Sequence, residues 1–291
     1  NAYINIDSYT QAMDAHDVRY EVLDSEVIRQ RWPQITIPDG TRGLYQERGG
    51  IVPAARSVRA MQDQARHHGA DLREHAAVTS IRQVGESYEL STDAETFIVD
   101  RLVIAADAWT AALCADLGFP IELTVTEEQV TYFAIDDPEQ FRPGTFPVWI
   151  WMDEPSYYGF PTYGEDTVKA AHDAGGPEVT PQSRSGEPDA AMEETLQAFM
   201  NSTFPGSGQV LRSKRCLYTL PRDREMVMST LPNHPKVAVL LGSAQGMKFA
   251  ACFGRFATDL ITGQTPSINI EDWRIDRPGI TDPSFVPDWM T

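Results

Sequence analysis

The chain has 291 residues, 42% hydrophobic and 10% aromatic, enough for one large or two interleaved domains and against wholesale disorder. Its 24 Lys and Arg against 42 Asp and Glu leave a net charge of −18, which excludes a general phosphate-backbone binder and makes anionic membranes a poor partner. Cys114, Cys216 and Cys252 form no CxxC pair, so neither a disulfide framework nor a cysteine zinc site is expected, no metal is called for, and a reducing, cytoplasmic compartment fits.

In chain order, the pattern predicts short helices over 8–17 and 24–32, the second capped by Asp24 and Ser25 and stopped by Pro33. After Pro53, residues Ala54, Val58, Met61 and Ala65 repeat at helical spacing up to Gly69. Strands follow over 71–82, 87–91 and 95–106, the last ending in a continuous apolar run that suggests cover on both faces. Further strands are expected over 122–134, 148–152, 157–161 and 167–171, then an exposed Gly/Pro/Ser/Thr-rich loop over 174–188. A helix over 190–204 precedes a strand over 210–220 and a buried strand over 237–241. A small-residue turn, 242–246, then opens a helix to Ile261, closed by Gly263. A strand–turn–helix unit of this kind presents backbone amides and a helix dipole to a ligand. No stretch approaches the ~20 apolar residues of a membrane span. The start, Asn1-Ala2-Tyr3-Ile4-Asn5, is neither an initiator Met nor a secretion signal.

Five segments then coincide in order and spacing: Arg31-Trp32-Pro33; Tyr157-Tyr158-Gly159-Phe160-Pro161; Lys169 with His172; Cys216-Leu217-Tyr218-Thr219 with Asp223; and Gly246-Met247-Lys248-Phe249. Together they resemble the monomeric sarcosine oxidase and N-methyl amino acid oxidase family of FAD-dependent amine oxidases, over about residues 20 to 277. The resemblance implies an α/β (mixed α+β) fold of the D-amino acid oxidase type. A Rossmann-like FAD-binding domain, incomplete at its N-terminus, would be interleaved with an antiparallel-sheet substrate domain. The expected division is 1–42 connecting segment, 43–118 FAD-binding part, 119–234 substrate domain, 235–277 FAD-binding return and 278–291 tail.

By the same resemblance, FAD lies against Val78, Ala106 and Trp109 on one side and Gly242, Gly246, Met247 and Lys248 on the other, with Cys216 its covalent anchor. Arg212, Lys214 and Arg215 precede Cys216 and should favour its thiolate; without the resemblance, the residue reads more readily as a small strand hydrophobe. Lys169 is implied to assist oxygen, because a cation in a low-dielectric pocket stabilises developing superoxide. Lys248 is implied to bind the substrate carboxylate, Tyr158 and Tyr218 to line the pocket, and His172 to join them, although it stands three residues after Lys169 where the family has four. Three positions depart from the family: Asp107 for a glycine, Gln245 for a histidine and Glu128 for an arginine. No GxGxxG turn is present, so residues 1–291 alone are expected to hold FAD weakly. The implied activity is oxidation of a carboxylate-bearing secondary amine to an imine, with O2 as acceptor. A flavin-free scaffold and a dehydrogenase using another acceptor are the alternatives.

Overall fold

The computed structural model describes residues 5–286; the first four residues and the end of the 278–291 tail lie outside that range. α1 (Ile6–Ala15) begins behind Asn5, whose Oδ1 accepts the Asp7 amide at 3.0 Å. β1 (Glu21–Leu23) precedes α2 (Ser25–Arg31) and pairs with β2 (Gly43–Tyr45) beyond it. Asp24 caps α2 as its position suggests, Oδ1 accepting from Val27 N at 2.9 Å. α3 (Ala54–His67) follows Pro53, but none of its residues is buried: Val58 and Met61 remain exposed.

β3 (Val78–Val84), β4 (Ser87–Thr92) and β5 (Thr96–Val99) form an antiparallel three-stranded sheet. The strand expected over 71–82 thus starts only at Val78. The segment 95–106 is two strands, since after β5 the chain turns at Asp100 and β6 (Leu102–Ile104) joins a different sheet. Nor is β6 covered on both faces: Leu102 and Ile104 are buried while Val103 is exposed, the alternation of a strand with one open face. α4 (Thr110–Asp116) follows, with Cys114 sealed in the core.

β7 (Thr124–Ile135), β8 (Trp149–Trp151), β9 (Tyr157–Phe160) and β10 (Thr167–His172) lead through α5 (Ala190–Thr203) to the long β11 (Ser207–Leu220). These five strands make one antiparallel sheet in the order β11-β7-β10-β9-β8. One face packs on α5 through Phe133, Val168, Ala170, Leu196, Met200 and Phe204. Met200 is 2% exposed; truncating a methionine so enclosed typically removes about 2–5 kcal/mol. The other face is left for the site.

β12 (Val227–Leu231) and β13 (His234–Leu241) complete a second sheet of order β12-β13-β6, antiparallel between β12 and β13 and parallel between β13 and β6. Val237 through Leu241 are all buried, as the apolar run predicts. Their two faces feed two cores: Val237, Val239 and Leu241 join Leu102, Ile104 and Cys114, while Leu240 meets Met228, Phe256 and Ala257 beneath α6 (Ala250–Ile261). The expected single helix from 246 starts instead as a 3-10 turn, Gly246–Phe249, before α6, and Gly263 closes it at φ 74°. α7 (Pro278–Thr281) ends the fold, with Arg277 clamping Asp223 at 2.5 and 2.8 Å. No helix among the described residues is long and apolar enough to cross a membrane.

Candidate active site

Strand register assembles the site. Lys169 stands opposite Tyr132 and Phe160, Ala171 opposite Tyr158, and Cys216 opposite Glu128. Directly paired residues share a face and alternate residues repeat it. Lys169, Tyr158, Phe160, Glu128, Cys216 and Tyr218 therefore project from one face of four neighbouring strands. Side-chain contacts agree: Lys169 Nζ lies 4.3 Å from the Phe160 ring centre, Tyr158 and Phe160 meet edge to face at 5.9 Å, and the Tyr158 and Tyr218 hydroxyls are 3.3 Å apart.

His172 is not brought to this face. Three residues after Lys169 is an odd step along a strand, so the imidazole points to the opposite side, where its ring lies 5.3 Å from Tyr157. The even step falls on Asp173, which motif spacing alone does not single out.

The thiol corrects a second expectation. Lys169 and Arg215 do pull the Cys216 pKa down, yet it stands above its ordinary value. The main cause is burial by the surrounding protein, although the residue as a whole is exposed. Glu128 on β7 and Asp107 on the turn after β6 add to the rise. Burial also lowers the Lys169 ammonium, with the Cys216 charge opposing. Burial holds Tyr158 at about 12 and raises Tyr218 further, so both are neutral hydrogen-bonding groups.

The two parallel strands end side by side in tight left-handed turns. After β6 and Ala106 comes Asp107 at φ 44°, opening a 3-10 turn to Trp109, which is 44% exposed. After β13, Ser243 and Ala244 take φ 45° and 65°, and Gln245 N donates to Gly242 O at 2.9 Å. A Cβ on Gly242 would lie 2.5 Å from Gly246 Cα, so this turn closes only with glycine there. Met247 and the exposed ring of Phe249 follow. Lys248 is exposed, with Nζ 3.3 Å from Gln245 Oε1. Ligands of α/β sheets bind at such carboxyl ends. A turn too tight for a Cβ and the open rings of Trp109 and Phe249 fit one end of a flat, apolar heterocycle. Val78, at the start of β3, packs partly buried on the first core. Asp107, whose carboxyl is raised by burial against the opposing Thr219 hydroxyl and Ala108 amide, adds acidity to this end.

Residues 174–188 run along the surface as expected, but three consecutive buried residues of β7 tie them down. Glu127 accepts the Ser185 and Gly186 amides at 3.0 and 2.7 Å and meets Arg215 at 3.4 Å. Glu128 accepts the Thr126 hydroxyl at 2.5 Å and the Gly176 amide at 2.9 Å. Gln129 exchanges two bonds with the Asp189 backbone, at 2.7 and 3.1 Å. Gly176 runs so close that a Cβ would lie 2.3 Å from Glu127 O. The loop then lays Arg184 over the Trp109 ring at 5.6 Å. The unusual run Glu127-Glu128-Gln129, in a strand that otherwise carries no charge, is the sequence signal for this anchor.

Tight turns at the carboxyl ends of two parallel strands, together with an antiparallel sheet that has one polar, aromatic face, suit a bound cofactor. The chain belongs to the family described as FAD dependent oxidoreductase, which matches residues 4–260. It is 26% identical to the monomeric sarcosine oxidase of Bacillus sp. (strain B-0618) over 277 residues, 93% of this chain and 70% of the relative. It is 27% identical to the N-methyl-L-tryptophan oxidase of Salmonella typhimurium over 263 residues, 88% of this chain and 69% of the relative. Among solved structures it resembles NikD, an unusual amino acid oxidase essential for nikkomycin biosynthesis, with a TM-score of 0.82, 24% identity, and 94% and 73% of the two chains covered. Glycine oxidase from Geobacillus kaustophilus matches with a TM-score of 0.79, 18% identity, and 93% and 71% covered. The fold is thus the mixed α/β fold expected from the sequence, and the cofactor of the family is FAD.

Proposed function

We propose that this FAD-dependent oxidoreductase oxidises a small secondary amine carrying a carboxylate, of the N-methyl amino acid class, and passes the electrons to O2. The amine loses two electrons and two protons and becomes an imine, which water hydrolyses. O2 takes up the same two electrons and two protons as H2O2. FAD, when bound, supplies the redox relay between them. The observation that carries this reading is the single sheet face on which three strands place Cys216, Tyr218, Tyr158 and Lys169.

In this reading the flavin ring is held between that face and the turns at Ala106–Trp109 and Gly242–Met247, with Cys216 as its covalent anchor. Tyr158 and Tyr218 wall the amine, and Lys169, low in pKa and over Phe160, meets oxygen. Lys248, exposed at the mouth, meets the substrate carboxylate. Residues 43–118 and 235–277 form the FAD-binding part, and 119–234 the substrate domain. Three unpaired cysteines accord with work in the cytoplasm, and the acidic chain with small-molecule partners rather than nucleic acid or membrane.

The test is to supply FAD and sarcosine, or other N-methyl amino acids, without oxygen, and then admit air. Flavin bleaching followed by peroxide supports the proposal. Bleaching without peroxide would move the chain to a dehydrogenase with another acceptor. No bleaching by any secondary amine would reject the amine reading.

A further inference from the structure

We propose that Asp173 is the group that receives the substrate's amine nitrogen, accepting its N–H as a hydrogen bond; this rests on the secondary-amine reading above. Asp173 lies just beyond β10, yet its amide donates to Ser156 O at 2.9 Å, extending the β9–β10 ladder by one residue past His172 and Tyr157. That fixes its parity. It is four residues from Lys169 and two from Ala171, on the face of Tyr158, Tyr218 and Cys216.

The carboxylates near this face are not equivalent. Both Glu128 oxygens are taken, one by Thr126 and one by the Gly176 amide. Asp107 stands not on this sheet face but on the 3-10 turn after β6. Neither oxygen of Asp173 accepts a hydrogen bond among the described residues. It is partly buried, and burial raises its pKa while Arg224 and His172 hold it down. The groups that feel its charge are the hydroxyls of Tyr158 on β9, Tyr218 on β11 and Tyr9 on α1. A half-buried carboxyl with unused acceptor capacity favours a ligand bearing N–H donors, best of all a cationic one. Lys169 has the wrong charge for an ammonium and the tyrosines lack charge, so this acceptor sets the amine end of the site. Lys248 sets the carboxylate end.

The test compares two ligands in the chain supplied with FAD, by calorimetric titration: sarcosine, and methoxyacetate, which replaces the N–H group with an ether oxygen. Asp173→Asn should weaken sarcosine about tenfold or more, the size of a charge-assisted hydrogen bond, and leave methoxyacetate within about twofold. Asp173→Glu should restore part of the loss. In the parent protein, sarcosine affinity should fall as pH drops through the carboxyl's titration, because sarcosine stays cationic there; in Asp173→Asn that dependence should vanish. Unchanged sarcosine affinity in Asp173→Asn, or an equal loss for both ligands, would overturn the assignment. Failure of the parent protein to bind either ligand would overturn the amine reading itself and this assignment with it.

Discussion

Replacing Glu127 with alanine should loosen the loop that spans the site. The carboxylate is 3% exposed and Arg215 is 5% exposed at the side chain, so the substitution strands a buried guanidinium and orphans the Ser185 and Gly186 amides. Removing one partner of a buried ion pair costs about 3–5 kcal/mol. Arg215 keeps contacts to Gln129 Oε1 and Met192 Sδ at 3.4 and 3.0 Å, so the low end, about 3 kcal/mol, is expected. For a chain of this size that corresponds to a melting temperature roughly 6–9 °C lower. The two amides and Arg215 outweigh burial and hold the Glu127 pKa below its ordinary value. The stabilisation is therefore complete above the unfolded carboxylate pKa and is lost as pH falls through the depressed folded value. Thermal unfolding of Glu127→Ala at neutral and acidic pH, with limited proteolysis between residues 174 and 189, measures both effects. The difference from the parent should shrink in acid, and Glu127→Gln should fall between them. A Glu127→Ala protein melting within about 1 °C of the parent, with an equally resistant loop, would refute the reasoning.

Three other outcomes are expected at the site. Acid precipitation should leave yellow colour in the pellet of the FAD-loaded protein and none in that of Cys216→Ala; because the thiol sits above its ordinary value, attachment should quicken as pH rises. In stopped flow, Lys169→Met should slow flavin reoxidation by O2 far more than reduction by substrate, whereas Lys248→Met should weaken substrate binding and leave reoxidation alone. Asp107→Gly should stabilise the fold by about 1 kcal/mol through relief of the left-handed φ. Its advantage should be larger at neutral pH than in acid, because a carboxyl whose folded pKa is raised costs stability as pH climbs through that value; denaturant titration at the two pH values decides it.

Much of the site is legible because strands repeat every two residues. Lys169, Tyr158, Cys216 and Tyr218 can be picked one by one from their segments, and the ladder then puts them on one face. The same rule, applied strictly, sends His172 away and brings Asp173 in; the sequence pattern fails there because the strand expected over 167–171 ends before either residue. The thiol misleads for another reason. Arg212, Lys214 and Arg215 are neighbours in sequence, but the charges that raise Cys216, Glu128 and Asp107, arrive from distant parts of the chain and cannot be counted along it. An apolar run such as 95–106 carries no mark of where a chain leaves one sheet for another, so β5 and β6 merge into one expected strand. The helical stripe of Val58 and Met61 is plain in the sequence, but nothing among the described residues covers it.

The β7–β11 ladder has its irregularities in one place. Register shifts fall between Ser207 and Arg212, while pairing from Arg212 to Leu220 runs without a break. Changes in chain length are therefore absorbable at the start of β11, where an extra residue can bulge and leave the rest of the strand in phase. From Lys214 to Leu220 there is no such slack. One residue inserted between Lys214 and Arg215 would turn Cys216 and Tyr218 to the opposite face and carry the guanidinium out to the site. A variant of this chain can lengthen or shorten its β11 entrance freely, but must keep the count after Arg212 to remain the same enzyme.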